Sequence, residues 1–173
     1  KTLDQNGNKA VLQFKALNEG YDIDYTYIGE INESKEMNGY GKLWSKHYSY
    51  HGNFKENHLD GFGILNYTGP KDDLEDNFVI SYKGNFINNK KSGEGKETYN
   101  TKEFYEGTFF KDLRHGKGKL YNTNGEVKID SSWELGRSVN NKNITEYYPN
   151  GCLKYRGEYD GFHKHGKGVL CNQ

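Results

Sequence analysis

Hydrophobic and polar positions alternate along this chain in short bursts, and the bursts come in pairs. In Tyr105-Glu106-Gly107-Thr108-Phe109 the two rings and the glycine share one side of an extended backbone, with Glu106 and Thr108 on the other. A polar turn follows, and Gly116-Lys117-Gly118-Lys119-Leu120-Tyr121 alternates again, with Gly116, Gly118 and Leu120 on one face. The pattern predicts a strand, a turn and a second strand. Glycine weakens a strand interior and has no side chain to pack, so its repeated use on the ring-bearing face needs a reason. The expected reason is that each glycine leaves a gap over which a neighbouring aromatic ring lies flat on the backbone.

The same unit recurs along the chain. Tyr27-x-Gly29-x-Ile31 leads to Gly39-Tyr40-Gly41-Lys42-Leu43-Trp44, and Tyr50-x-Gly52-x-Phe54 leads to Gly61-Phe62-Gly63-Ile64-Leu65. Tyr82-x-Gly84-x-Phe86 leads to Gly93-Glu94-Gly95, and Tyr155-x-Gly157-x-Tyr159 to Gly166-Lys167-Gly168-Val169-Leu170. Units begin near 27, 50, 82, 105 and 155; the steps from 27 to 50 and from 82 to 105 are both 23 residues. The longer step from 50 to 82 contains an insertion at about 70–78, and the step from 105 to 155 leaves room for a further unit. That unit is degenerate and starts near 129. Ile129, Ser131 and Trp133 replace the Tyr, Gly and aromatic, Asn140 and Lys142 sit where the paired glycines belong, and Ile144 takes the Leu position. A fixed period of this size marks a repeat array. The predicted fold is all-β, an elongated single-layer array of tandem β-hairpins over residues 27–173, about six units with almost no helix.

Residues 1–26 read as a degenerate leading hairpin that caps the array. Its turn residues are Asn6-Gly7 and Asn18-Glu19-Gly20, and weak alternation spans 11–16 and 21–25. Asn122-Thr123-Asn124-Gly125 reads as a tight hairpin turn of the type I′ class, and Pro149-Asn150-Gly151 as another turn. The acidic insertion around Asp72, Asp73, Glu75 and Asp76 lacks the alternating ligands, central glycine and closing glutamate of an EF-hand loop, so a solvated loop is expected.

Composition narrows the function. Formal net charge is zero across 173 residues, so no overall field favours nucleic acid, and none is expected as a partner. Mean hydropathy of −1.08 leans toward disorder. The 15 Tyr and 9 Phe, placed periodically, argue instead for a thin aromatic core. No apolar run approaches the ~18 residues of a membrane span, and no signal peptide is visible. Two cysteines fit a reducing compartment, hence an intracellular, cytoplasmic setting. The chain opens on Lys1 rather than Met, as expected of a segment trimmed from a longer protein.

Candidate chemistry is sparse. The paired glycines open strands and recur, whereas a phosphate loop leads into a helix N-terminus. His163-x-His165 and His47-x-x-x-His51 lack a third ligand, and no metal or other cofactor is expected. Pairing the last hairpin so that residue numbers sum to about 325 sets Tyr155 opposite Leu170 and leaves Cys152 diagonal to Cys171, a geometry that disfavours a disulfide. No nucleophile, base or carboxylate pair emerges, so no enzyme activity is expected. Lys117, Lys119 and Lys167 are the candidates for lipid headgroup contact. Val169, Leu170 and Cys171 form an exposed last strand, a candidate edge for a homodimer. The ring-rich face, with Tyr27, Tyr50, Tyr82, Tyr105 and Tyr155 followed by Phe54, Phe86, Phe109 and Tyr159, is a candidate groove, unless the rings are fully used in covering their glycines.

Taken as a set, Tyr-x-Gly-x-Phe, a polar turn and Gly-x-Gly-x-Leu at a period of 23 resemble the MORN repeat, most closely at residues 105–121 with His115-Gly116-Lys117-Gly118. The resemblance covers about residues 27–170 and departs at 129–144 and in the unit that begins at Tyr27. It implies stacked hairpins forming a grooved array that serves as a protein-interaction, scaffold or dimerisation module, often at the cytoskeleton or membranes. It also implies two alternatives. One is a phosphoinositide-binding, membrane-targeting role. The other is a regulatory segment of a larger enzyme such as a phosphoinositide kinase or SET-domain methyltransferase.

Overall fold

The computed structural model describes residues 2–3, 9–18, 21–68, 78–139, 141–148, 150–159 and 164–171, and among them there are strands and turns but no helix. The chain forms two compact units, residues 1–90 and 91–173. The first contains β1 (Thr2–Leu3), β2 (Lys9–Asn18), β3 (Tyr21–Ile31), β4 (Met37–Ser45), β5 (Tyr48–Lys55), β6 (His58–Tyr67) and β7 (Val79–Ile87). Each pairs antiparallel with the next. The second contains β8 (Lys90–Tyr99), β9 (Phe104–Phe110), β10 (Leu113–Tyr121), β11 (Val127–Glu134) and β12 (Arg137–Val139), again paired in chain order. A separate sheet in the same unit consists of β13 (Asn141–Tyr147), β14 (Leu153–Tyr159) and β15 (Lys164–Leu170). The protein is therefore an all-β array of tandem antiparallel hairpins.

The strand glycines meet the second glycine of each pair across the ladder. Gly29 pairs with Gly41, Gly52 with Gly63, Gly107 with Gly118 and Gly157 with Gly168. Successive repeats join the same way, Gly41 to Gly52, Gly63 to Gly84 and Gly95 to Gly107. The first glycine of each pair has a different role from the one expected. Gly39, Gly61, Gly93, Gly116 and Gly166 all have positive φ, between 65° and 97°. Gly116 lies where the β9–β10 register shifts between Arg114 and Gly118, and a side chain there would meet Thr108, not a ring. The bulge breaks the alternation, which is why Gly116 and Gly118 do not share one task.

Three further expectations are corrected. Residues 21–25 do not belong to a separate leading hairpin; they extend β3, and β2 pairs along its whole length from Lys9–Glu30 to Asn18–Tyr21. Ala10 faces Gly29 and Leu12 faces Tyr27, so β2 acts as the second strand of a repeat, with Ala10 in the glycine position. Asn122–Gly125 is not a type I′ turn. Only Gly125 has positive φ, and Asn122 N–H donates to Glu126 O at 2.9 Å, which makes a three-residue loop closed by a left-handed residue. Finally, Ile144 pairs with Gly157, so it occupies the second-glycine position and not that of the leucine. Ile129 supplies no ring to cover that floor, and the fully buried Ile144 fills the space instead. The turns expected at Asn6-Gly7 and Glu19-Gly20, all but the last residue of the insertion expected at about 70–78, and Asn140 and His163 lie outside the described residues.

Candidate functional site

The tyrosines expected in the groove are the floor of the array. Tyr27, Tyr50, Tyr82, Tyr105 and Tyr155 are all buried, none more than 5% exposed. Each phenol donates to the carbonyl three residues on: Tyr27 to Glu30 at 2.6 Å, Tyr50 to Asn53 at 2.9 Å, Tyr82 to Asn85 at 3.0 Å, Tyr105 to Thr108 at 3.3 Å and Tyr155 to Glu158 at 2.7 Å. Phe54, Phe86 and Phe109 stand edge-on to these rings, with centroids 5.0 Å from Tyr27 to Phe54, 5.1 Å from Tyr82 to Phe86 and 5.3 Å from Tyr105 to Phe109. Burial drives every resolved phenol shift in this floor: Tyr27 and Tyr50 move well above their ordinary value, and Tyr105 is pushed up to about 12. The side chain of Tyr159 lies outside the described residues.

What surrounds the tyrosines on the ring side is set by two positions that the sequence pattern did not single out as a pair. One lies two residues before the first glycine of a repeat, the other two residues after the second glycine. In the first compact unit these are Met37 and Leu59, and Leu43 and Leu65. With Tyr25, Tyr48, Phe54, Asn57, Tyr67 and Asn89 they line an open groove of about 430 Å³, and none of these residues is charged. Burial raises the Tyr25 and Tyr48 phenols.

In the second compact unit several of these positions carry ions, while Leu120 and Leu170 keep the leucine. Lys91 and Arg114 precede the first glycines, and Glu97 stands where Leu43 and Leu65 stand in the first. Lys91 and Glu97 are buried, and their charged atoms meet at 2.5 Å. Tyr99 OH donates to the other Glu97 oxygen at 2.9 Å, and Arg114 Nε lies 3.7 Å from it. Arg114 also bonds the Tyr99 phenol oxygen and lies over the rings of Tyr105 at 4.4 Å and Trp133 at 4.7 Å. Further on, Lys164 pairs with Glu146 at 3.3 Å and lies over Tyr155 at 4.7 Å. Glu97 was readable as a glutamate in the leucine column, but its partners come from β8 and β10, and only the fold unites them.

A second device missed in the sequence joins neighbouring hairpins. Glu56-Asn57, Asn88-Asn89 and Lys111-Asp112 are two-residue turns with both φ angles positive. The second residue of each reaches back to the preceding hairpin. Met37 N–H donates to Asn57 Oδ1 at 2.9 Å, Leu59 N–H to Asn89 Oδ1 at 2.7 Å and Lys91 N–H to Asp112 Oδ1 at 2.9 Å. The turn N–H groups return bonds of 3.0 Å to Met37, Leu59 and Lys91 carbonyls.

The remaining candidates fall elsewhere. Lys119 lies in an alternating row on the outer face, 3.1 Å from Asp130 and paired in register with Glu106; the Asp130 hydrogen bond and charge raise its pKa. Lys117 and Lys167 are exposed on different hairpins. Val169 and Leu170 are about 60% exposed (60% and 61%), and Cys171 N–H donates to Lys154 O at 3.0 Å. Cys152 and Cys171 are free thiols. Among the described residues, no group of three or more metal-ligating side chains occurs, and no helix is long and apolar enough to cross a membrane.

Apart from the degenerate unit near 129, the repeated unit is an antiparallel hairpin with a tyrosine over cross-strand glycines. The chain carries MORN repeats: the MORN repeat model matches at residues 50–69, 82–102 and 105–127. Comparison with curated proteins finds no match. The family is generally non-catalytic.

Proposed function

We propose that this chain is a non-catalytic interaction module and scaffold that presents the ring side of its hairpins to a protein partner within the cell. The observation that carries the reading is the contrast on that side. The tyrosine floor is used up in packing and the ions of the second compact unit are paired among themselves, whereas the groove of the first is open, apolar and uncharged. An apolar groove of this size is the usual form of a binding site. Affinity purification with the parent chain and with Leu65→Lys tests it. A protein recovered by the parent and lost with the variant is expected; identical recovery from both would overturn it.

Self-association through β15 rests on the exposure of Val169 and Leu170 in a strand at the edge of its sheet. A concentration-dependent shift in sedimentation is its test. The lipid reading rests on Lys117, Lys119 and Lys167, and the Asp130 partner of Lys119 weighs against it. A role as regulatory segment of a larger enzyme rests on the family resemblance alone.

A further inference from the structure

The groove of the first compact unit is more specific than an apolar cleft, and the identity of its occupant builds on the interaction-module reading. Its polar atoms are few and their directions are set. Asn57 and Asn89 line the groove, and each spends its Oδ1 on a backbone N–H of the preceding hairpin. That bond orients the carboxamide, so the Nδ2 group of each is left as a donor on the groove wall. The two turns belong to successive hairpins, two strand spacings apart, which puts the donors about 10 Å from one another. Beside them stand Tyr48, Tyr67, Leu43 and Leu65, and no charge.

An occupant must therefore bring acceptors without charge. A phosphate or nucleic acid brings charge, and a hydrocarbon chain brings no acceptor. An extended β-strand peptide would repeat its outward carbonyls about every 7 Å. A polyproline II helix has three residues per turn and repeats every ~9 Å, close to the donor spacing. It has no internal hydrogen bonds, so its carbonyls are free, and its pyrrolidine rings pack on tyrosine faces. We propose that the groove formed by Tyr48, Leu65, Tyr67, Asn57 and Asn89 is a docking site for an uncharged, proline-rich polyproline II segment of a partner protein, with Asn57 and Asn89 donating to carbonyls one helical turn apart.

The substitution that isolates the donors is present in the chain. Asp112 holds the equivalent turn position and accepts the Lys91 N–H as the asparagines accept theirs. The double variant N57D/N89D therefore keeps the turn and its clamp while replacing both donors by acceptors. The test is selection of a phage-displayed library of random peptides against the parent chain, followed by binding of the selected peptides to parent, N57D/N89D and Tyr67→Ala. Enrichment of uncharged sequences with proline at a three-residue interval is expected. Affinity should fall at least ten-fold in N57D/N89D and in Tyr67→Ala, with the melting temperature of N57D/N89D unchanged. Selected peptides that lack proline, or that bind N57D/N89D as well as the parent, would overturn the docking site and leave the interaction-module reading standing. A library that yields no binder counts against both.

Discussion

At Gly118 the difference between a hydrogen and a methyl decides whether a ring can lie on the backbone. A Cβ there would sit 2.6 Å from Tyr105 Cε2, well inside van der Waals contact. Gly118→Ala should destabilise the protein by about 1–3 kcal/mol through overpacking. Gly125, with φ of 82° and nothing within 4 Å of its would-be Cβ, is the control: its alanine variant should lose only the left-handed penalty of about 1 kcal/mol. Chemical denaturation measures both, and an unchanged midpoint for Gly118→Ala would refute ring-over-glycine packing. The same ring reports on pH. Burial holds the Tyr105 phenol up to about 12 against an ordinary 10.0, so the folded chain keeps a proton that the unfolded chain releases. That contribution is whole below pH 10.0 and is lost as pH rises from 10.0 towards about 12. The melting temperature should stay level up to about pH 10 as far as this group is concerned and fall beyond it, with tyrosinate absorbance appearing as the protein unfolds.

Turns and strands set the next scale. Leu135 holds a left-handed φ of 46° at a turn tip, where Glu56, Asn88 and Lys111 hold the equivalent place, and it is 57% exposed. Leucine suits neither the backbone angle nor the exposure, so Leu135→Asn should stabilise by about 1 kcal/mol, visible as a raised melting temperature. Within β8, Glu97 stands in the leucine column with its carboxylate 2.5 Å from the buried Lys91 ammonium. Glu97→Leu should cost about 3 kcal/mol because this buried ion pair is broken. Adding Lys91→Met, which copies the Met37 and Leu43 pair of the first compact unit, should recover most of that loss. A double variant no more stable than Glu97→Leu alone would show that the cluster is held by something other than the ion pair.

Over the whole molecule, formal charge cancels. Net charge is zero, and the lysines considered for lipid contact lie beside acids or on separate hairpins. Co-sedimentation with liposomes should show no dependence on anionic lipid content or salt; a steep fall with added salt would revive the membrane reading. The degenerate repeat also acts at this scale. The sheet of β8–β12 ends at Val139, and the chain continues as β13 of another sheet, within the stretch where Ile129, Ser131 and Ile144 replace the Tyr, the strand Gly and the second Gly. A floor with no ring to cover the backbone gives the ladder less reason to continue.

The hairpin order and the repeat starts at 50, 82 and 105 were legible along the chain, because a period of two and a Tyr-x-Gly spacing are local properties that burial on one side enforces. The pairing of Tyr155 with Leu170 followed from the same counting and matches the observed register. The roles of the glycines were not legible, since Gly116 and Gly118 are two residues apart and a register shift between strands separates them. Ala10 was hidden because alanine carries no mark of a glycine site until Gly29 is seen opposite. The reach of Asn57 back to Met37 spans 20 residues, and the ions of Glu97 are gathered from two strands. Alternation along one strand sets which side a residue faces; which residues it meets there depends on register, bulges and neighbouring hairpins, and those exist only once the chain has folded.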